Sequence, residues 1–241
     1  MLFRSKFGDQ RPRQLAITIR EPSGFLIFYK GDNVEFTSFR FVFIQPDYLE
    51  ELHNADSEIF YSKDTDYSKK PHLGILTTCN DREYVIPLTS AKSKHANWRD
   101  ITATNYRVYE EIDTRTAVID PYDVIVEETD LNKLRQKGIP ENEFQFFKKR
   151  ILSVLEIKKM FPVIDGVYHL ADLSTPATTV EDEQRRNLMI KEYFFCKKYK
   201  EQIEAKAKKI YEKQMTTGFV APYHCNFSVL KSVADTYEIK N

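Results

Sequence analysis

The chain has 241 residues, 41% hydrophobic and 30% charged, enough apolar material for one large core or two small ones. Lys and Arg number 36, as do Asp and Glu, so net charge gives no vote for a polyanionic partner, and 7 glycines argue against glycine-rich phosphate loops. No apolar run nears the roughly 18 residues of a membrane span, no secretory signal is expected behind Arg4 and Lys6, and three scattered cysteines (Cys79, Cys196, Cys225) suit a reducing cytoplasm better than a disulfide scaffold or thiolate zinc site.

Residues 14–44 alternate in the period of strands, with Leu15, Ile17 and Ile19 on one side. Pro22-Ser23-Gly24 is a turn; further strands are expected over 25–29 and 34–44, separated by Gly31-Asp32-Asn33. Pro46-Asp47 opens a short helix with Tyr48, Leu49 and Leu52 as its apolar stripe. Residues 54–70 are polar and loop-like. Residues 72–77 and 83–88 form the clearest hairpin, joined through Asn80-Asp81. A polar stretch over 89–100 precedes strands expected near 106–112, 117–126 and 150–155, and Pro162 bounds a turn. Residues 181–215 are strongly helical, acids first and lysines later, with a break near Tyr199 and with Leu188, Phe195, Tyr199, Ile203 and Ile210 near one face. Residues 226–236 close the chain with a short helix.

Charge is segregated. Residues 110–147 carry ten acids against four bases, most simply a solvated insertion, and residues 148–217 carry fifteen bases against ten acids, which could flank a polyanion.

One region combines lysines with hydroxyls. Tyr67-Ser68-Lys69-Lys70-Pro71 precedes the first hairpin strand, and the second runs into Thr89-Ser90-Ala91-Lys92-Ser93-Lys94-His95. Antiparallel pairing puts the start of one beside the end of the other, so Lys70 and the loop after Thr89 should meet at one rim of the sheet. Such a set suits a phosphodiester. Cleaving RNA through its own 2′-OH needs a base, donors for the phosphorane oxygens and an acid for the leaving 5′-oxygen. Lysines and hydroxyls supply the donors; a lysine of lowered pKa, His95 or Tyr67 could move the protons. Each residue also has a plainer reading: a Thr-Ser-x-Lys loop as a turn, Lys70 as a surface lysine, Tyr67 as a rim aromatic, His95 as a packing partner of Trp98.

The order of four blocks resembles the ToxN/AbiQ family of type III toxin–antitoxin endoribonucleases. They are Phe39-Arg-Phe-Val-Phe-Ile-Gln-Pro-Asp-Tyr-Leu-Glu-Glu-Leu52, Lys69-Lys70-Pro71-His-Leu-Gly74-Ile75, Tyr84-Val-Ile-Pro-Leu-Thr-Ser-Ala-Lys-Ser-Lys-His95 and Cys225-Asn-Phe-Ser-Val-Leu230. Residues 150–163 are also similar to the family's strand and turn. The resemblance implies an α+β fold: a twisted, mainly antiparallel sheet, related to the SH3-like barrel of MazF-type toxins, surrounded by helices. It implies metal-independent, cofactor-free RNA cleavage to a 2′,3′-cyclic phosphate. It also implies inhibition by a small repeat RNA antitoxin that the toxin processes, a closed toxin–RNA assembly, and a role in abortive phage defence. By motif, Thr89, Ser90, Lys92 and Lys70 match active-site positions, with Tyr67 and His95 less closely spaced. Lys69, Lys94, Lys148, Lys149, Arg150, Lys197, Lys198, Lys206 and Lys209 are the expected RNA contacts. Residues 1–37 would be an N-terminal β extension packed on a 38–241 endoribonuclease domain, with the acidic insertion at about 105–145. The alternatives are a non-catalytic RNA- or protein-binding module on the same fold and, weakly, a hydrolase using His224-Cys225.

Overall fold

The computed structural model describes residues 17–20, 26–29, 41–61, 73–79, 82–128, 130–173 and 175–239. Strands β1 (Ile17–Arg20) and β2 (Leu26–Tyr29) pair antiparallel as a two-stranded sheet, with Ile17 opposite Tyr29. Of the strand expected over 34–44, β3 (Phe41–Ile44) is described.

The main sheet is antiparallel throughout. Its path runs from β10 (Tyr168–Leu170) through β3, β4 (Leu73–Cys79), β5 (Arg82–Ser90) and β8 (Phe147–Glu156) to β6 (Asn105–Asp113). Off this path, β7 (Val124–Glu127) pairs with β8, and β9 (Phe161–Pro162) pairs with β5. The β4–β5 hairpin is the one expected, with its turn at Asn80-Asp81 outside the described residues. Gly74 is required there: a Cβ would lie 2.1 Å from Val85 Cγ1 and 3.0 Å from the Ile86 carbonyl oxygen. Gly74 faces Pro87, which has no N–H to continue a ladder. There β5 changes partner, pairing with β4 up to Pro87 and with β8 through Leu88, Thr89 and Ser90.

The acidic stretch, expected as a solvated insertion, contributes strands to the main sheet. β6, which opens it, pairs with β8 along its whole length, from Asn105 opposite Glu156 to Asp113 opposite Phe147, with a bulge after Val108. The strand expected over 117–126 contracts to β7, because residues 118–123 turn on hydrogen bonds between Asp120 and Asp123. Pro162, expected to bound a turn, lies in β9 opposite Tyr84.

Helix α1 (Pro46–Ala55) buries Tyr48, Leu49 and Leu52 as its spacing requires, and the Tyr48 hydroxyl donates to the Pro162 carbonyl at 2.8 Å. Leu134 anchors the short α2 (Leu131–Gln136). The long helical stretch divides at Tyr199 into α3 (Val180–Lys198) and α4 (Lys200–Thr217). Thr179 caps α3, its hydroxyl accepting from the Asp182 N–H at 3.1 Å beside three first-turn acids, and Gly218 ends α4 with φ 67°. The buried face carries Met189, Ile190, Tyr193 and Cys196 on α3 and Ile203, Ala207 and Tyr211 on α4. Leu188, expected on that face, is exposed, and its neighbours Met189 and Ile190 are buried instead. Asn226 caps α5 (Phe227–Thr236). Among the described residues no helix is long and apolar enough to cross a membrane.

Candidate active site

Thr89 and Ser90 are the last two residues of β5, facing Val154 and Ser153 of β8. Ser90 is exposed and Thr89 half-buried. Arg107 of β6 faces Val154 from the other side. Residues directly opposite in antiparallel strands point to one face, so Thr89, Val154 and Arg107 share it. The Thr89 hydroxyl lies 3.5 Å from Glu156 Oε2. After Ser90 the Ala91 N–H makes a last bond to the Leu152 carbonyl at 3.2 Å and the chain leaves the sheet. β7 takes up the vacated edge of β8, Val124 facing Ile151 just beyond Leu152, so the acidic segment abuts the end of the hydroxyl-bearing strand.

The departing loop, residues 91–100, is held from beneath. The His95 imidazole is buried at 2% exposure, its Nδ1 accepts from the Lys92 N–H at 3.0 Å, and its ring lies 4.7 Å from that of Trp98. Burial, with Lys94, Lys92 and Arg107 nearby, lowers its pKa, so the neutral ring carries its proton on Nε2. Arg107 Nη1 donates to the carbonyls of His95 and Ala96 at 3.1 and 2.8 Å, and its Nε donates to Asp100 at 2.9 Å. Lys149 bridges Asp100 and Glu128 at 2.8 and 2.9 Å. Burial alone would raise the Asp100 carboxyl, but hydrogen bonds from Lys149 and Arg107 overcome it and hold the group below the ordinary carboxylate range. Two cations and two anions thus close a neutral network under the loop.

Residues 40–235 match the profile of the family described as toxin ToxN of type III toxin–antitoxin systems. The chain belongs to the ToxN family. Among curated relatives, the endoribonuclease ToxN of Bacillus thuringiensis subsp. kurstaki is 24% identical over 206 residues, 83% of this chain and 84% of that protein. The endoribonuclease ToxN of Pectobacterium atrosepticum is 24% identical over 193 residues, 80% and 90% respectively. Two solved structures share the fold. AbiQ, a lactococcal anti-phage endoribonuclease, superposes with TM-score 0.52 at 18% identity over 82% of this chain and 96% of its own. A chain from the structure of a processed non-coding RNA that regulates a bacterial antiviral system gives 0.54 at 20% identity, over 82% and 98%.

In this ToxN family member the expected site residues separate into three groups. Thr89, Ser90 and Lys92 lie together at the strand end, and Lys92, Lys94 and Arg99 are exposed with no carboxylate partner among the described residues. Tyr67, Lys69 and Lys70 lie outside the described residues. His95, expected as a proton-transfer candidate or a packing partner of Trp98, is buried beneath the loop against the Trp98 ring.

The expected RNA contacts differ in their surroundings. Lys149 is buried in the ion network, with 4% of its side chain exposed. Arg150 pairs with Glu110 and Asp123 at 3.3 and 3.1 Å, and Lys148 with Glu127. Lys206 donates to the Thr102 carbonyl at 2.7 Å and sits 4.3 Å from the Tyr106 ring. Lys197, Lys198 and Lys209 remain exposed on the helices. Cys225 is fully buried and burial pushes its thiol far up, so His224-Cys225 offers no thiolate nucleophile. Residue types alone did not single out Glu156, Arg107, Asp100 or Arg99. Their signal is the strand register, which places the first three beside the hydroxyl pair and its loop.

Proposed function

We propose that this chain, an endoribonuclease of the ToxN family, cleaves RNA at the exposed end of β5. Ser90 and Thr89 orient the scissile phosphate, Lys92 neutralises its charge, and Lys70 acts as base or as electrostatic stabiliser. The 2′-oxygen attacks phosphorus, the 5′-oxygen leaves with a proton, and a 2′,3′-cyclic phosphate remains, without metal. A small repeat RNA, processed by the toxin itself, holds it inactive in a closed assembly, and release serves abortive phage defence. We further read the antiparallel sheet, with β5 bending between two partners at Pro87, as the SH3-like barrel of MazF-type toxins.

The observation that carries this reading is the placement of the family's Thr-Ser pair. It stands at a strand end open to solvent, and the next nine residues present three exposed cations, Lys92, Lys94 and Arg99, with no carboxylate partner among the described residues. Phosphate is held by just such donors, fixed in advance of the charge that develops.

The test is Ser90→Ala. Losing one transition-state donor lowers cleavage by about 10²–10³, with circular dichroism and melting unchanged, and growth arrest without the antitoxin disappears. Mass spectrometry of the wild-type product should find the cyclic phosphate, and chelators should leave the rate unaltered. Wild-type cleavage by Ser90→Ala would refute the assignment. RNA binding without any product by the wild-type chain would favour a non-catalytic module instead.

A further inference from the structure

Among the described residues the Thr89 hydroxyl has one hydrogen-bond partner, Glu156 Oε2 of β8 at 3.5 Å. Strand register fixes this neighbour. Thr89 faces Val154, and Glu156 lies two residues further along β8, so its side chain returns to the face of Thr89, on the diagonal that reaches across an antiparallel pair. Glu156 is half-buried, as Thr89 is. Its lack of a counter-charge sets it apart. Asp100, Glu110, Glu111, Glu127 and Glu128 each meet a lysine or an arginine, and Glu156 meets neither among the described residues.

Proton acceptors are otherwise scarce at this strand end. A lysine ammonium donates and has no lone pair to give. His95 is buried, and its Nδ1 already accepts from the Lys92 N–H. An ionised carboxylate only accepts. At 3.5 Å its bond from Thr89 is at the outer limit of hydrogen bonding, so the hydroxyl can turn its proton to a phosphate and leave the carboxylate open. A phosphate oxygen accepting from Thr89 sits about 2.8 Å from the hydroxyl oxygen, and a 2′-oxygen poised to attack sits about 3–3.5 Å from phosphorus. The 2′-hydroxyl is thereby brought within reach of Glu156, directly or through one water. Asn105 stands directly opposite Glu156 on β6; it is 9% exposed, and its side-chain oxygen is buried without a donor. A protonated Glu156 has an O–H for such an acceptor, and an ionised one has none.

We propose, resting on the RNA-cleaving reading above, that Glu156 is a catalytic residue: the base that takes the proton of the attacking 2′-hydroxyl. Lys70 then keeps the electrostatic part. The 2′-O–H bond breaks as the bond from the 2′-oxygen to phosphorus forms, and the proton passes to a Glu156 oxygen. The bond from phosphorus to the 5′-oxygen breaks with its electron pair on that oxygen, which takes a proton from solvent. Glu156 afterwards returns its own proton to solvent and is a carboxylate again.

The test is the pH dependence of single-turnover cleavage by the full-length protein, on an RNA that the wild type cuts. The wild-type rate should fall on the acid side, as the carboxylate takes up a proton. Glu156→Gln should lower the rate by about 10²–10⁴ and flatten that acid limb, with RNA affinity and melting retained. Glu156→Asp, which keeps the carboxylate, should keep the limb and lose less. A Gln amide oxygen accepts from Thr89 as a carboxylate does, so a role confined to positioning Thr89 predicts a near-wild-type rate for Glu156→Gln. That result, or a wild-type profile without an acid limb, overturns the proposal. A substrate with sulfur in place of the 5′-oxygen separates base from acid, because the thiolate leaves without a proton. The Glu156→Gln defect should persist on it, and a defect that vanishes there overturns the assignment as base. A wild-type chain that cuts no RNA sinks the endoribonuclease mechanism itself. Equal cleavage by wild type and Glu156→Gln, with Ser90→Ala inactive, removes Glu156 alone.

Discussion

Two groups of cations in this chain have the same chemistry and opposite surroundings. Lys148, Lys149 and Arg150 form an unbroken basic run, yet all three meet carboxylates, on Glu127, on Asp100 with Glu128, and on Glu110 with Asp123. Lys92, Lys94 and Arg99 are scattered along a loop and meet none among the described residues. The difference is delivered by the sheet. Strand β8 carries the run between β6 and β7, where Glu110 and Glu127 face Arg150 and Lys148 across the ladder and the flanking Asp100, Asp123 and Glu128 close in, whereas the loop projects past the last rung of β5. Basic residues bind RNA where the fold leaves them uncompensated, and local density of lysine is a poor guide to that.

The sharpest way to break this contrast is Lys149→Met. Its ammonium is the counter-charge for Glu128, whose side chain is 1% exposed, so truncation leaves a buried carboxylate unpaired. A loss of about 4 kcal/mol in urea unfolding is expected. A variant of wild-type stability with weakened RNA binding would return Lys149 to the RNA contacts.

Glu192 supplies a second buried charge with a different balance. Burial on α3 pushes its pKa up to about 7, against a smaller opposing pull from Ser153. A folded pKa above the unfolded value of 4.5 favours the folded state in full below about pH 4.5, and that advantage is lost as pH rises through about 7. Glu192→Gln should therefore match wild type near pH 4 and exceed it at pH 8 by up to about 3 kcal/mol. Parallel stability curves from pH 4 to pH 8 would show that Glu192 keeps its charge in the folded protein.

Both groups were half legible in the sequence. The β4–β5 hairpin, α1 and its stripe, the break at Tyr199 and the Asn226 cap were readable because their determinants are local: turn residues, proline at a helix start, 3.6-residue spacing, a side-chain cap. The Thr89-Ser90 pair was readable as a motif at a strand end. The role of the acidic stretch was not. Glu128 is twenty-one residues from Lys149 and Asp100 is forty-nine, and no periodicity links residues that meet only through strand register. The burial of His95 was not readable for the same reason, since it depends on Arg107 and Trp98 packing around the loop.

On the loop the expected stability effects are small and the binding effects selective. Lys92→Ala and Arg99→Ala should each change unfolding by less than about 0.5 kcal/mol. Each should weaken RNA binding and lower the slope of log affinity against log salt by about 1, as one fewer phosphate is neutralised. Unchanged slopes would mean that RNA does not cross this loop.

The smallest effect is expected at Lys148, beside Lys149 in sequence but outside the buried network. Its ammonium rests on Glu127, which is mostly in water, so the pair is a surface one, worth under about 1 kcal/mol. Lys148→Gln should leave stability nearly unchanged and, because its charge is already matched, leave the salt slope unaltered. A slope that falls by about 1 would place RNA over β7 and return Lys148 to the phosphate contacts. The division between compensated and free cations would then run through the middle of the basic run.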